Sequence, residues 1–186
     1  RYSKDLCDRY IDALLREIHA VGGQQSGKKE TNSLYFGGGT PALAADRLGE
    51  IIGAIKEHFV ITEGIGVELH PDNVTPDVLR TLKTAGVTKI SIGIQSFQTK
   101  FQSVLGRTSV DISAMKQALS EVPFETVSMD FIFALPNQTF EDLKADVDAA
   151  FQSGANHVAI YPFIDFTFTS STVQAMGKGE KRALLD

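Results

Sequence analysis

Three short runs in this chain put large apolar residues on one phase and small or polar residues on the other. No other feature constrains the fold as much. In residues 89–95, Ile90, Ile92 and Ile94 fall on one phase, and Ser91, Gly93 and Gln95 on the other. Further upstream, Val67 and Leu69 alternate with Gly66, Glu68 and His70, and downstream Val127, Met129 and Phe131 alternate with Ser128 and Asp130. Successive side chains of a strand point to opposite faces, so each phase meets different surroundings. Parallel strands covered on both faces read instead as nearly continuous apolar runs. One face under helices and one face lining a cavity account for the pattern. A barrel or half-barrel is therefore favoured over an open doubly wound sheet.

The intervening segments supply the helices. Leu6, Tyr10, Leu14 and Ile18 recur every four residues behind Ser3, a residue suited to an N-cap. Residues 22–32 are polar and read as a loop, before a short strand at 33–36. Leu48, Ile51, Ile52, Ile55 and Phe59 mark the next helix. Thr75, Pro76 and Asp77 form a helix start, with Gly86 as the stop. Helical stretches follow at 101–105 and 111–120, and Thr139 with Asp142 resembles a capping box for a helix closed by Gly154. Strands are expected at 33–36, 65–69, 89–94, 126–133 and 157–163. Their spacing of roughly 25–40 residues is that of βαβ units, whose crossovers are right-handed. Residues 1–165 read as the core. Residues 166–186 read as a C-terminal extension or linker, with a helix starting near Glu180.

Glu68, Gln95 and Asp130 come late in their strands, and α/β folds bind ligands at the carboxyl ends of parallel strands. After the strand at 33–36 the chain runs Gly37-Gly38-Gly39-Thr40-Pro41. Three glycines let a ligand approach the backbone, though a phosphate site and a tight turn fit them equally well. A net charge of -5 gives no basic footprint for nucleic acid. No apolar run reaches the roughly 20 residues of a membrane span. The single cysteine, Cys7, excludes an internal disulfide, and the cytosol is the expected compartment.

Taken together, the motifs are more specific than any one alone. Tyr35-Phe36-Gly37-Gly38-Gly39-Thr40-Pro41, Val67-Glu68-Leu69-His70-Pro71, Ser91-Ile92-Gly93-Ile94-Gln95-Ser96-Phe97, Leu105-Gly106-Arg107 and the segment from Asp130 to Thr139 occur in that order. The set resembles the radical S-adenosylmethionine (SAM) enzymes related to oxygen-independent coproporphyrinogen III oxidase. The resemblance implies a parallel (β/α) partial barrel and a 5′-deoxyadenosyl radical generated from SAM by a 4Fe-4S cluster. It also implies a porphyrinogen or other tetrapyrrole substrate and an external electron donor. By the same resemblance Gly38, Gly39 and Thr40 hold the methionyl amino end of SAM, and Glu68, Gln95, Arg107 and Asp130 make further cofactor contacts. Ile164 packs near the adenosyl group.

Two departures qualify these expectations. The family holds its cluster in a C-x3-C-x2-C loop, and this sequence contains no such loop. The chain is expected to be a set of middle βα units, with the first strand and cluster loop upstream of Arg1, and inactive by itself. The stretch Tyr161-Pro162-Phe163-Ile164-Asp165-Phe166 is closer to relatives that deliver haem or methylate with haem as substrate than to the oxidases. Haem delivery therefore stands beside porphyrinogen oxidation. An unrelated barrel that binds a sugar phosphate is the third reading.

Overall fold

The computed structural model describes residues 3–24, 26–107, 109–164 and 176–184. The main sheet consists of β2 (Leu34–Phe36), β4 (Ile65–Leu69), β5 (Lys89–Gln95), β6 (Thr126–Phe133) and β7 (His157–Pro162). They lie side by side in that order, and every pairing is parallel. Strand order therefore follows chain order without reversal. With right-handed crossovers, a sheet wound in one direction carries its helices on one face. A doubly wound sheet must reverse somewhere along its edge. The topology is that of an α/β partial barrel, as the strand phases imply.

The helix-covered face is the core. Val67, Ile90, Ile92, Ile94, Met129 and Phe131 are all at most 1% exposed. Packed with them in one cluster are Leu48, Ile51 and Ile52 of α2 (Ala45–His58), Leu79 and Leu82 of α3 (Pro76–Thr84), and Met115 and Leu119 of α5 (Ile112–Glu121). α1 (Lys4–Gly22) lies against α2, α4 (Thr99–Val104) follows β5, and α6 (Phe140–Gln152) follows β6. The helix starts form as their sequences require. Ser3 Oγ accepts the Leu6 N–H, and Thr75 Oγ1 accepts the Val78 N–H behind Pro76. Thr139 and Asp142 cap each other reciprocally at the start of α6.

One region departs from the sequence expectation. Lys29–Thr31, read as loop, forms β1, and Phe59–Ile61, of which only Phe59 is read from the sequence as the end of a helix, forms β3. The two pair in parallel. Lys29 and Glu30 are exposed, so backbone hydrogen bonds rather than an apolar face hold β1, and it leaves no hydrophobic period to read. The register then slips by one residue, from Thr31 opposite Ile61 to Leu34 opposite Ile65. Gly64 (φ +110°) lies in that slip, where a Cβ would stand 2.3 Å from Thr88 Oγ1.

The expected boundary at residue 165 lies outside the described residues. Beyond it, Lys178–Ala183 form α7. Leu184 joins a small apolar cluster with Phe133, Ala134 and Leu143, and Lys181 Nζ donates to the Phe163 carbonyl oxygen at 2.6 Å. No helix among the described residues is long and apolar enough to cross a membrane.

Candidate cofactor cleft

The open face of the sheet ends in a cleft of about 320 Å³ at the carboxyl ends of the strands. Six of the eight residues singled out from the sequence line it: Gly39, Thr40, Glu68, Gln95, Arg107 and Asp130. They come from the glycine turn, from β4, β5 and β6, and from the segment after α4. Gly38 does not line the cleft. Its N–H donates to Glu68 Oε2 at 3.0 Å, so its part is to fix that carboxylate. Ile164 stands two residues beyond the end of β7 and is 56% exposed; Tyr161 is the β7 residue that lines the cleft.

Each wall residue has a local reason for its position. The glycine turn needs the backbone freedom of Gly38 at φ +78°. Gly37 is needed for a different reason: a Cβ there would lie 2.8 Å from Glu68 Oε1. Gln95 adopts φ +69°, a left-handed conformation that costs a non-glycine residue about 1 kcal/mol or more. The strain coincides with a slip in the β5–β6 register, which moves from Ile92 opposite Met129 to Gln95 opposite Phe131. Such irregularities re-aim a side chain at a strand end. Gln95 Nε2 then lies 3.0 Å from where a Gly93 Cβ would be, so Gly93 leaves the amide its room. Arg107 is anchored by one N–H, donated from Nη1 to the Gly93 carbonyl oxygen at 3.0 Å.

Asp130 is held from both sides. The Ser91 hydroxyl donates to Oδ2 at 2.7 Å and the Ser128 hydroxyl to Oδ1 at 3.2 Å. Ser128 Oγ also lies 3.0 Å from His157 Nδ1. Above β4, the Tyr35 phenol is held above its ordinary pKa, first by burial and then by the Glu68 carboxylate, while its hydrogen bond with the Ser91 side chain opposes the shift. The cleft thus combines two carboxylates, a partly anchored guanidinium, an amide and open glycine backbone. A ligand bearing separated positive and negative groups suits that set; a single polyanion does not.

Sequence reading passed over three contributors. Ser91 shares the polar phase of β5 with Gln95, and its role follows from that phase. Gly37 is hidden because only the bend of Glu68 toward the turn reveals the contact. Asp146 is on α6, away from the cleft, yet its carboxylate accepts the Ser96 hydroxyl at 2.7 Å and the Phe97 N–H at 2.9 Å. These fasten the chain immediately after Gln95. Burial raises the Asp146 pKa, and the Ser96 and Phe97 hydrogen bonds oppose that rise.

The sequence profile of the radical SAM superfamily matches residues 8–150. The chain belongs to the radical SAM superfamily. Membership implies SAM and a 4Fe-4S cluster as cofactors. The heme chaperone HemW of Lactococcus lactis is 32% identical over 162 residues, covering 84% of this chain and 41% of that protein. An oxygen-independent coproporphyrinogen III oxidase of Cereibacter sphaeroides is 30% identical over 161 residues, covering 84% and 36%. Among solved structures, the radical SAM coproporphyrinogen III oxidase of Escherichia coli superposes with a TM-score of 0.83 at 23% identity, covering all of this chain and 45% of that one. This radical SAM chain therefore spans about two fifths of the length of the curated relatives it matches. Its residues differ in their fit to the two cofactors. The mixed charges of the cleft match SAM, whereas the single thiol, Cys7 on α1, cannot provide the three thiolates of a cluster loop.

Proposed function

We propose that the cleft is the SAM shelf of a haem-binding radical SAM protein. The observation that carries this reading is the meeting of Arg107 with Glu68 and Asp130 beside an open glycine turn. SAM has a carboxylate, an amino group, a sulfonium and ribose hydroxyls. Arg107, anchored through one N–H, keeps further donors for the carboxylate. Glu68 and the backbone of Gly39 and Thr40 suit the amino end. Asp130, oriented by two serine hydroxyls, suits the ribose, and the Gln95 amide adds a donor and an acceptor at the rim. With a reduced cluster, SAM supplies radical chemistry; the residues of this chain bind the cofactor, orient it and restrict water around it.

Haem as the tetrapyrrole is supported by the name of the Lactococcus lactis relative and by the stretch 161–166, whose sequence resembles haem-delivering relatives more than the oxidases. Porphyrinogen oxidation remains the second reading, supported by the Cereibacter sphaeroides relative. A sugar phosphate fits less well, because two carboxylates face the cleft. Calorimetry with SAM is expected to show saturable binding to this chain, weakened at least about tenfold by R107A or D130A. Absence of SAM binding, with inorganic phosphate bound instead, would refute the shelf. For the protein that contains this chain together with a cluster loop, haem titration followed by its Soret absorbance is expected to saturate. Decarboxylation of coproporphyrinogen without haem binding would transfer the assignment to the second reading.

A further inference from the structure

At the opposite end of the molecule from the cleft, α1 and α2 run side by side in the same direction. Lys4 pairs with Asp46, Arg47 with Asp12, and His19 with Glu57. Both helices therefore end together, and their last turns bring His19, Glu57 and His58 into one group. Each residue offers a ligand atom, and these atoms lie within 4.8 Å of one another. His19 Nδ1 and Glu57 Oε2 are 3.6 Å apart. The ring of His58 is seated on the α1 backbone, where a Cβ on Gly22 would stand 2.2 Å from Cδ2. Its Nε2 is shut off from solvent and has no hydrogen-bond partner among the described residues.

We propose that His19, Glu57 and His58 bind a divalent first-row transition ion of the Zn2+ class. Two imidazoles and a carboxylate are a donor set such ions prefer, and three protein ligands leave one position for water. Two helix C-termini meeting at one place give a negative local field, which favours a cation there. The Lys28 ammonium, on the Lys56 carbonyl oxygen at 2.7 Å, already responds to that field. An unsatisfied ring nitrogen away from water is costly, and coordination through it removes the cost. Metal–ligand distances of about 2.0–2.2 Å require the three atoms to draw together, which side-chain rotation of the exposed His19 and Glu57 permits. The ion would staple α1 to α2 just where the chain enters β3. This site is independent of the cleft and of its cofactor.

The test is calorimetric titration of metal-free protein with ZnCl2, repeated with H19A and E57Q. Both side chains are more than half exposed (52% and 63%), so these variants are expected to keep the wild-type far-ultraviolet circular dichroism. The wild type is expected to bind one equivalent and to melt at a higher temperature when loaded. Each variant should bind at least about tenfold more weakly. Co2+ should give tetrahedral d–d absorption in the wild type that both variants lose. The proposal is overturned if no stoichiometric binding occurs, or if H19A and E57Q bind as the wild type does.

Discussion

Removing the Asp146 carboxylate is the sharpest test of how the cleft is supported from behind. Asp146 is 1% exposed, and Ser96, one of its donors, is 0% exposed. Asp146→Ala deletes the hydrogen bonds from Ser96 and Phe97 and leaves that hydroxyl and that N–H facing an apolar gap. Hydrogen bonds to a charged acceptor contribute about 1.5–3 kcal/mol each, or roughly 3–6 kcal/mol for the pair. Against this stands the desolvation of the carboxylate, the same burial that raises its pKa. The expected net loss is about 2–4 kcal/mol. Asp146→Asn keeps the shape and one acceptor but turns an NH2 toward a donor, so about 1–2 kcal/mol is expected. Urea unfolding at pH 7, followed by circular dichroism, measures both. A raised native pKa means the folded state holds its proton more tightly than the unfolded state. Between the ordinary value of 3.8 and the raised one, this group's contribution to stability therefore falls as pH rises. Asp146→Asn should remove that slope. A change of less than about 0.5 kcal/mol on Asp146→Ala would refute the account, since surface positions alone give so little.

Four further substitutions test other parts of the structure. Asp142 is held below the usual carboxylate range, first by its hydrogen bond from Lys100 and then by the Thr139 N–H. Its contribution is present above the ordinary value of 3.8 and lost as pH falls through the lowered one. Asp142→Asn should accordingly flatten the acid limb of a stability-against-pH curve and cost about 1 kcal/mol at pH 7 through the weakened cap. Gly64→Ala forces φ +110° on a residue with a Cβ and drives that Cβ against Thr88 Oγ1, so a loss of about 2–4 kcal/mol in urea is expected. Gly53→Ala, inside α2 with nothing within 4 Å of the new Cβ, should gain about 0.5–1 kcal/mol. Gly37→Ala meets no backbone strain but displaces Glu68, so SAM binding by calorimetry should weaken about tenfold while stability changes by less than about 1 kcal/mol.

The parts of the fold legible in the sequence are those where burial alternates with the strand period. In β5 the alternation is complete, and it separates Ile90, Ile92 and Ile94 from Ser91, Gly93 and Gln95 without reference to any relative. β1 was illegible because three residues held by backbone bonds carry no such contrast. The cleft was readable as a set of polar residues at strand ends, but not as a hydrogen-bonded arrangement. Nothing in the string Gly37-Gly38-Gly39 says that Gly38 serves Glu68, since that depends on which way a side chain four strand positions deep in β4 bends. Asp146 left a signal that periodicity could have caught. It stands three residues after Leu143 and four before Ala150, on the buried stripe of α6, where an acidic residue is out of place unless it holds something.

The bond between Gly38 and Glu68 has a consequence for how occupancy of the cleft is communicated. One carboxylate both fastens the glycine turn and faces the ligand space. A positively charged group arriving in the cleft competes with the Gly38 N–H for the same oxygens, so docking and turn rigidity are thermodynamically coupled. The turn then acts as a reporter: exchange of the Gly38 amide hydrogen with solvent should quicken when a cation draws Glu68 away, and slow when the ligand closes over both. The shelf registers what rests on it.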